Sequence, residues 1–496
     1  MRLEHPYQSN GLNPKALAQF FMILGLAMFS IFLIKQKITL AIFVVFLPLG
    51  VAALGYGLIF PRFIYLLYAT YAFFFTTISR YLLVNQLSAG LEAILFYGMI
   101  SLIFSSMYKK GAISWRNAIN ILTISYIPWV FFTLYQFTNS AIRTEGVAYG
   151  IRIWIFRVLV LYIFLSILSN TYKALRVGLD LVAFFTFLAF VKLMWQKYIG
   201  FDQAEQYWLY VGGGSTTHII SSGVRYFSYF TDSANFGCYM AATSLIYTII
   251  GFHIHNKPKK LYYLIIGLIS FISMFLSGTR GALIIPLIGA MLYCLLCKNI
   301  RIFVITGLTG VLIFFFFSYT TIGESNPYIR RARTAFKSSE DASMNVRYRN
   351  REEIADFIAQ HPLGAGIAGV IPKLWMQPDG TYQEGTLPSD SFFVNIWIQT
   401  GYVGLALYIL ICAIVIIGAS MIVLFRIRSP LIRHIMAALT CATFGIWVSG
   451  YTGNNPGMPP TDFLIAAMMA FVMNGSTIDK DYLNHILTTS KTNNAI

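Results

Sequence analysis

The sequence predicts an all-α polytopic membrane protein of about 14 transmembrane helices, with one long outer loop that contains short helices. Three observations predict it. Of 496 residues, 57% are hydrophobic and only 11% are charged, whereas soluble chains carry about a quarter charged residues. Apolar runs of about 17 to 25 residues recur along the chain, the length that crosses a hydrocarbon core as a helix. Finally, polar residues concentrate in one interval, Ser318 to Asp390, which holds 9 of the 19 acidic residues and 8 of the 36 basic ones.

The candidate spans, in order, are 16–34, 38–60, 63–78, 90–107, 118–138, 153–170, 178–195, 234–252, 260–277, 281–297, 301–318, 398–425, 432–450 and 461–474. The first follows a polar leader with Arg2 and Lys15, is long, lacks a small-residue cleavage site, and reads as a retained span. Each later span is bounded by charges or turn residues, so the connections can be sorted by side. With the N-terminus inside, the inner connections and termini hold 18 Lys and Arg, among them Arg62, Lys109, Lys110, Arg116, Lys257, Lys259, Lys260, Arg426 and Arg428. The short outer connections hold six: Lys35, Lys37, Arg80, Arg143, Arg152 and Arg280. The positive-inside rule therefore places both termini in the cytoplasm. It places the 196–233 connection and the 319–390 loop outside.

With sidedness assigned, the net charge of +17 is mostly topology, and a nucleic-acid partner is excluded. The five cysteines lie in or beside apolar runs, which argues against structural disulfides. Cys294 and Cys297 form a CxxC without a second pair, the pattern of helix packing rather than of metal or redox work. No repeat or linker divides the chain, which reads as a single membrane domain, 1–496. Within the long loop, Ile354, Phe357 and Ile358 recur at helical spacing and Pro362 follows, so Arg349 to Gln360 is expected to be a helix.

Outward arginines run against the positive-inside rule and need a specific reading. Arg225 stands in GVRYFSYF just before a span, and Arg280 stands in SGTRGAL at a tight turn between two spans. A guanidinium stays charged and offers a planar fork of donors matched to phosphate oxygens; its alternative is snorkelling to headgroups or pairing with a carboxylate such as Asp232. Asp390, at the water end of an apolar helix, reads either as a proton acceptor for a hydroxyl nucleophile or, with Ser389 and Ser391, as a helix cap. Arg347, Arg349 and Arg351 read either as substrate contacts or as a solvated face neutralised by Glu352, Glu353 and Asp356. His361 sits in the HPLGAG turn, and Trp208, Tyr210, Tyr226, Tyr229, Trp375 and Tyr382 are candidates to stack on sugars or to form an interfacial belt.

The order GVRYFSYFTDSANFG, then SGTRGALI, then RYRNREEIADFIAQHPLGAGIAGV in a long outer loop, then a polar residue eleven positions before a glycine in DSFFVNIWIQTGYVGL, resembles the O-antigen ligase and Wzy-type polymerase superfamily over residues 200–410. The resemblance implies a glycosyltransferase of the bacterial inner (plasma) membrane, active on its outer face. It implies an undecaprenyl-diphosphate-linked oligosaccharide donor, membrane lipids around it, and a glycan, lipid A core or protein hydroxyl as acceptor, with no nucleotide sugar, no cofactor and no metal. Carried over by motif, Arg225 and Arg280 grip the diphosphate and Asp390 stands at the position of the base; Arg347, Arg349 and Arg351 stay open between substrate contacts and helix salt bridges, and His361 between a substrate contact and a structural place in its turn. The family usually has histidine where Asp390 stands and asparagine where Ser391 stands, so the base is the departure from its pattern. A ligase, a repeat-unit polymerase and a protein O-oligosaccharyltransferase share these features. A transporter or flippase of lipid-linked oligosaccharides would instead show ionisable groups deep in its spans, where Arg157, Asp180 and Lys192 are the candidates.

Overall fold

A computed structural model describes residues 50–496 except 84, 109–110, 112, 140–143, 221–222, 298–299, 335–341, 377–381, 390 and 494–496. The predicted span 16–34 and most of 38–60 lie outside the described residues. The rest is helical apart from two short hairpins. In chain order the helices are α1 (Gly50–Ile59), α2 (Pro61–Leu82), α3 (Ala89–Tyr108), α4 (Ile121–Gln136), α5 (Thr144–Leu168), α6 (Tyr172–Tyr198), α7 (Gln203–Tyr210), α8 (Ser233–His253), α9 (Lys257–Leu276), α10 (Arg280–Cys297), α11 (Ile300–Tyr319), α12 (Pro327–Thr334), α13 (Ala342–Gln360), α14 (Phe392–Phe425), α15 (Pro430–Ser449), α16 (Thr461–Met473) and α17 (Gly475–Asn493). Strands β1 (Ile219–Ile220) and β2 (Gly223–Val224) pair antiparallel, as do β3 (Pro372–Met376) and β4 (Tyr382–Thr386).

Among the described residues, eight helices are long and apolar enough to cross a membrane, or nine if α16 and α17, bent by 65°, form one broken span. The sequence count of 14 is not reached. Helix α4 coincides with the predicted span 118–138 but has only 16 residues. Helix α2 covers 63–78 but mixes its apolar residues with Thr, Ser and two arginines, so it falls short of the others in apolarity. Other spans are longer than expected. Helix α14 begins at Phe392 rather than 398 and runs 34 residues, and α5 starts at Thr144 and contains a π-helical stretch, Ile151–Val160.

The chain divides into two compact units, residues 1–63 with 100–112, and residues 64–99 with 113–496. In the first, the Ser101 hydroxyl donates to the Leu58 carbonyl at 3.4 Å, tying α1 to the end of α3. The second holds the core, centred on α8, of which 83% of the apolar window is buried, and α15, at 72%. Both are rich in Ala, Gly, Ser and Thr, which lets neighbouring backbones approach where lipid supplies no hydrophobic drive between helices. Where α9 passes α8, a Cβ on Gly267 would lie 2.7 Å from Thr248 Oγ1.

Helix α13 confirms the loop helix expected from the spacing: Ile354 and Ile358 are fully buried against Ile371, Leu387, Val394 and Ile398. The β3–β4 hairpin that completes this small core has no counterpart in the sequence reading. The five cysteines are free thiols, and Cys297 Sγ donates to the Cys294 carbonyl at 3.5 Å within α10, in keeping with packing rather than chemistry.

Candidate functional site

The N-terminal ends of α8, α10 and α14 and the C-terminal end of α15 meet at one place, and the polar loops gather there. Asp232 caps α8 by accepting the amides of Ala234 at 2.7 Å and Asn235 at 2.8 Å. Among the described residues no ion pair joins Asp232 to Arg225, whose guanidinium donates elsewhere. Just upstream, the β1–β2 hairpin delivers Arg225: its amide donates to the His218 carbonyl at 2.8 Å, its guanidinium to the Thr217 carbonyl at 2.9 Å and to Thr279 Oγ1 at 3.2 Å. Thr279 donates in turn to the Ser233 carbonyl at 2.8 Å, so one hydroxyl joins the SGTRGA turn, Arg225 and the start of α8.

The hairpin is anchored by His218. Its Nε2 accepts the Ser233 amide at 3.1 Å, which requires Nδ1 to carry the proton, and Nδ1 lies 2.9 Å from the Gly214 carbonyl. Burial, with the nearby charges of Arg225 and Arg80 acting in the same direction, pushes its pKa down to about 4, so it stays neutral at physiological pH. From below, Arg80 donates to the Thr231 carbonyl at 2.7 Å and lies 4.3 Å from the Trp208 ring centroid and 4.6 Å from that of Phe227.

Gly278 is where the arginines converge. Its φ of +61° opens the turn after α9, and a Cβ there would lie 3.3 Å from Arg225 Cγ and 3.5 Å from both Cδ and Nε of Arg331. The adjoining crevice is lined by Thr279, Arg280, Tyr328 and Arg331. Burial holds the Arg225 guanidinium below the usual arginine range, and the charges of Arg280 and Arg347 push the same way against Asp232. Arg225 Nε, buried, has no acceptor among the described residues. The structure thus brings Arg225 and Arg280 to one place, within reach of the charge of Arg347, and adds Arg331 and Thr279, which the sequence reading did not single out as site residues. Arg331 stands between two other arginines on α12, and its one distinguishing signal is the helical face it shares with Tyr328.

The other expected residues are placed differently. Arg351, one turn beyond Arg347, lies 4.1 Å from the Tyr451 ring centroid and donates to the Tyr451 carbonyl at 3.0 Å. Arg349 is exposed. The neutralisation expected from Glu353 goes elsewhere, since Lys373 donates to its Oε1 at 2.7 Å. His361 is exposed at the end of α13, stacked on Phe357 at 4.3 Å with Nδ1 3.1 Å from the Phe357 carbonyl, a structural position. Asp390 lies outside the described residues. Its neighbour Ser391 is the cap of α14, accepting the Val394 amide at 3.3 Å, and Phe392 donates its amide to the Gly450 carbonyl at 3.0 Å and the Gly453 carbonyl at 3.2 Å. Of the aromatic candidates, Trp208 packs on His218 and Phe227, and Tyr229 on Phe74, while Tyr210 is exposed. The side chains of Trp375 and Tyr382 are outside the described residues.

The three ionisable groups expected of a transporter are each engaged. Arg157 pairs with Asp462, Asp180 accepts from the Tyr263 hydroxyl at 2.7 Å, and Lys192 pairs with Asp202 at 2.8 Å and Glu205 at 3.0 Å.

Comparison with known proteins adds to this geometry. Residues 265–409 match the family model described as O-antigen ligase, a stretch that holds Arg280, Arg331, Arg347 and Asp390. A protein described as O-antigen polymerase from Salmonella muenchen is 27% identical over 234 residues, 44% of this chain and 52% of that protein, so the match spans about half of the relative's length. These two matches, the first covering the motifs that hold Arg280, Arg347 and Asp390, support a likeness of the chain to the O-antigen ligase and Wzy-type polymerase superfamily.

Proposed function

We propose that this protein is a membrane glycosyltransferase that moves a preassembled glycan from undecaprenyl diphosphate to an acceptor hydroxyl on the outer face of the bacterial inner membrane. The observation that carries the reading is the convergence of Arg225, Arg331 and Arg280 around Gly278 and its adjoining crevice. A diphosphate is a compact polyanion, and planar guanidinium groups held by neutral carbonyl and hydroxyl acceptors offer it charge and directed hydrogen bonds together. As the bond between the anomeric carbon and the diphosphate oxygen breaks, the electron pair leaves with the phosphate, and the arginines stabilise that charge. The acceptor oxygen forms the new bond to the anomeric carbon and its proton passes to Asp390. Because Ser391 takes the capping role, Asp390 is not needed for it, which supports the base assignment. Attack opposite the leaving group inverts the anomeric configuration.

Ligation to a lipid A core is the leading reading of the acceptor. The second is repeat-unit polymerisation, favoured by the description of the Salmonella muenchen relative. The test is to incubate the purified protein with defined undecaprenyl-diphosphate oligosaccharides and to offer lipid A core, a second donor molecule or a Ser/Thr peptide separately, following released lipid diphosphate. Transfer to one acceptor is expected. Arg280→Ala and Asp390→Ala should each lower it by about 100-fold or more while the protein stays folded in the membrane. Wild-type transfer by Asp390→Ala sinks the base assignment, and translocation of the lipid without transfer to any acceptor sinks the transferase reading.

A further inference from the structure

Between α14 and α15 runs an apolar groove of about 800 Å³, walled by Leu405, Ile409, Ile416, Phe444 and Val448. One end of it is polar: Arg351, Trp397 and Tyr451 line it there. Two donors at that end are buried without an acceptor among the described residues, Arg351 Nε and Trp397 Nε1. An unmet buried donor costs about 1–3 kcal/mol, and a guanidinium with an indole N–H at the same end of the groove suits a bound oxyanion. The groove mouth is also joined to the arginine cluster. Gly281, next to Arg280, packs on Thr452, where a Cβ would lie 2.2 Å from Thr452 Oγ1, and the preceding residue, Tyr451, carries Arg351. The same strip, 450–453, holds the amide of Phe392, two residues after Asp390.

We infer that this groove holds the hydrocarbon anchor of the acceptor, a lipid whose phosphate meets Arg351 and the Trp397 indole. The inference rests on the transferase reading and names a site for its second substrate. Transfer between two lipids needs two headgroups at one base. Helix α13 sends Arg351 to the groove, and Arg347, one turn before it, adds its charge to the field at Arg225. Charge assigns the occupants: the three-arginine cluster suits the two phosphates of the donor, while one guanidinium and one indole N–H suit a single phosphate. The strip at 451–452 separates the two.

Ala413 faces the groove and is exposed, so Ala413→Trp fills the groove without burying a new side chain in the core. The expected result is a KM for the lipid-linked acceptor raised by about tenfold, with the donor KM moved by less than about twofold, and Arg351→Gln should do the same. A rise confined to the donor KM, or no change in either, overturns the proposal. A second measurement needs no turnover. A polyprenyl monophosphate C-glycoside with a diazirine in its chain, in which carbon replaces the anomeric oxygen, has no leaving group and can act only as an acceptor. Cross-linking it to wild-type protein should label peptides covering 405–417 and 444–451, with displacement by unlabelled polyprenyl monophosphate. Labelling displaced equally by a phosphate-free glycolipid means bulk lipid only and overturns the site, as does labelling beside Arg225 and Arg280. Groove labelling in a protein that transfers nothing would sink the transferase reading and leave a lipid-phosphate site, so the two failures are distinguishable.

Discussion

Three arginines within four residues of α12 have three different surroundings. Arg333 is buried and donates to the carbonyls of Phe316 at 3.2 Å and Ile322 at 2.6 Å and to Thr320 Oγ1 at 3.3 Å, so it ties α12 to the end of α11. Arg331 flanks Gly278 in the arginine crevice, and Arg330 is exposed. The first is structural and the second faces the proposed diphosphate. Arg331→Gln should therefore lower transfer by about 10- to 100-fold with a thermal midpoint close to wild type. Arg333→Gln should cost about 1–3 kcal/mol of stability by removing a buried side chain's three hydrogen bonds to the end of α11 and the turn after it. Thermal unfolding in detergent alongside donor turnover separates the two, and equal loss of both properties in both variants would remove the distinction. Nothing in the string RRAR told these residues apart. Arg225 and Arg280 were legible because each stands alone at a turn beside an apolar run, where a cation needs a reason. Arg331 has that reason only once α9 and α10 are placed against it.

Helix α14 shows how a motif of fixed spacing becomes geometry. At Gly401 the helix breaks, with φ +66° and ψ −163°, a conformation that side chains with a Cβ seldom adopt. The break frees the Ile398 carbonyl, and the HPLGAG turn fills the gap: Ala365 donates its amide to that carbonyl at 2.8 Å, and Ala368 donates to Gln399 Oε1 at 3.1 Å. Gln136 of α4 donates to the Leu363 carbonyl at 2.9 Å, locking the turn from the other side. A Cβ at Gly401 would come within 1.8 Å of the Pro362 carbonyl oxygen. Gly401→Ala should thus cost more than about 3 kcal/mol, the sum of backbone strain and overpacking. Gly310→Ala, in open space on α11, should be neutral or stabilising by up to about 1 kcal/mol. Equal thermal midpoints for the two variants would show that the turn does not seat in the kink. The loop helix and the glycine eleven residues after Asp390 were both legible in the sequence, the first through Ile354 and Ile358. Their joining was not, because the turn and the kink are some thirty-five residues apart and are linked by backbone hydrogen bonds, which carry no side-chain signal.

Across the whole molecule the same helix ends recur together. The starts of α8, α10 and α14 and the end of α15 surround the arginines, whereas His253, Tyr293 and His434 meet at the opposite ends of α8, α10 and α15, with the Tyr293 hydroxyl 2.8 Å from His434 Nδ1. Residues separated by two hundred positions thus share a face because helices alternate in direction, which the hydropathy pattern made legible; the count of 14 spans is not confirmed among the described residues, which leave out 16–34 and most of 38–60 and in which α2 and α4 lack the length or apolarity of a full span. Which face is outside rests on the 18 to six division of basic residues, and it decides the chemistry, since a polyprenyl diphosphate presented at the outer leaflet must meet the arginines there. In a Cys297→Ser background, where the remaining native thiols are buried, Glu352→Cys on exposed α13 and Lys260→Cys at the start of α9 report the two faces. A membrane-impermeant maleimide added to intact cells should label the first at once and the second only after permeabilisation. The reverse pattern would put the arginine cluster on the cytoplasmic side, where a cation surplus is the default of any membrane protein, and would remove the reason for reading Arg225 and Arg280 as a diphosphate grip.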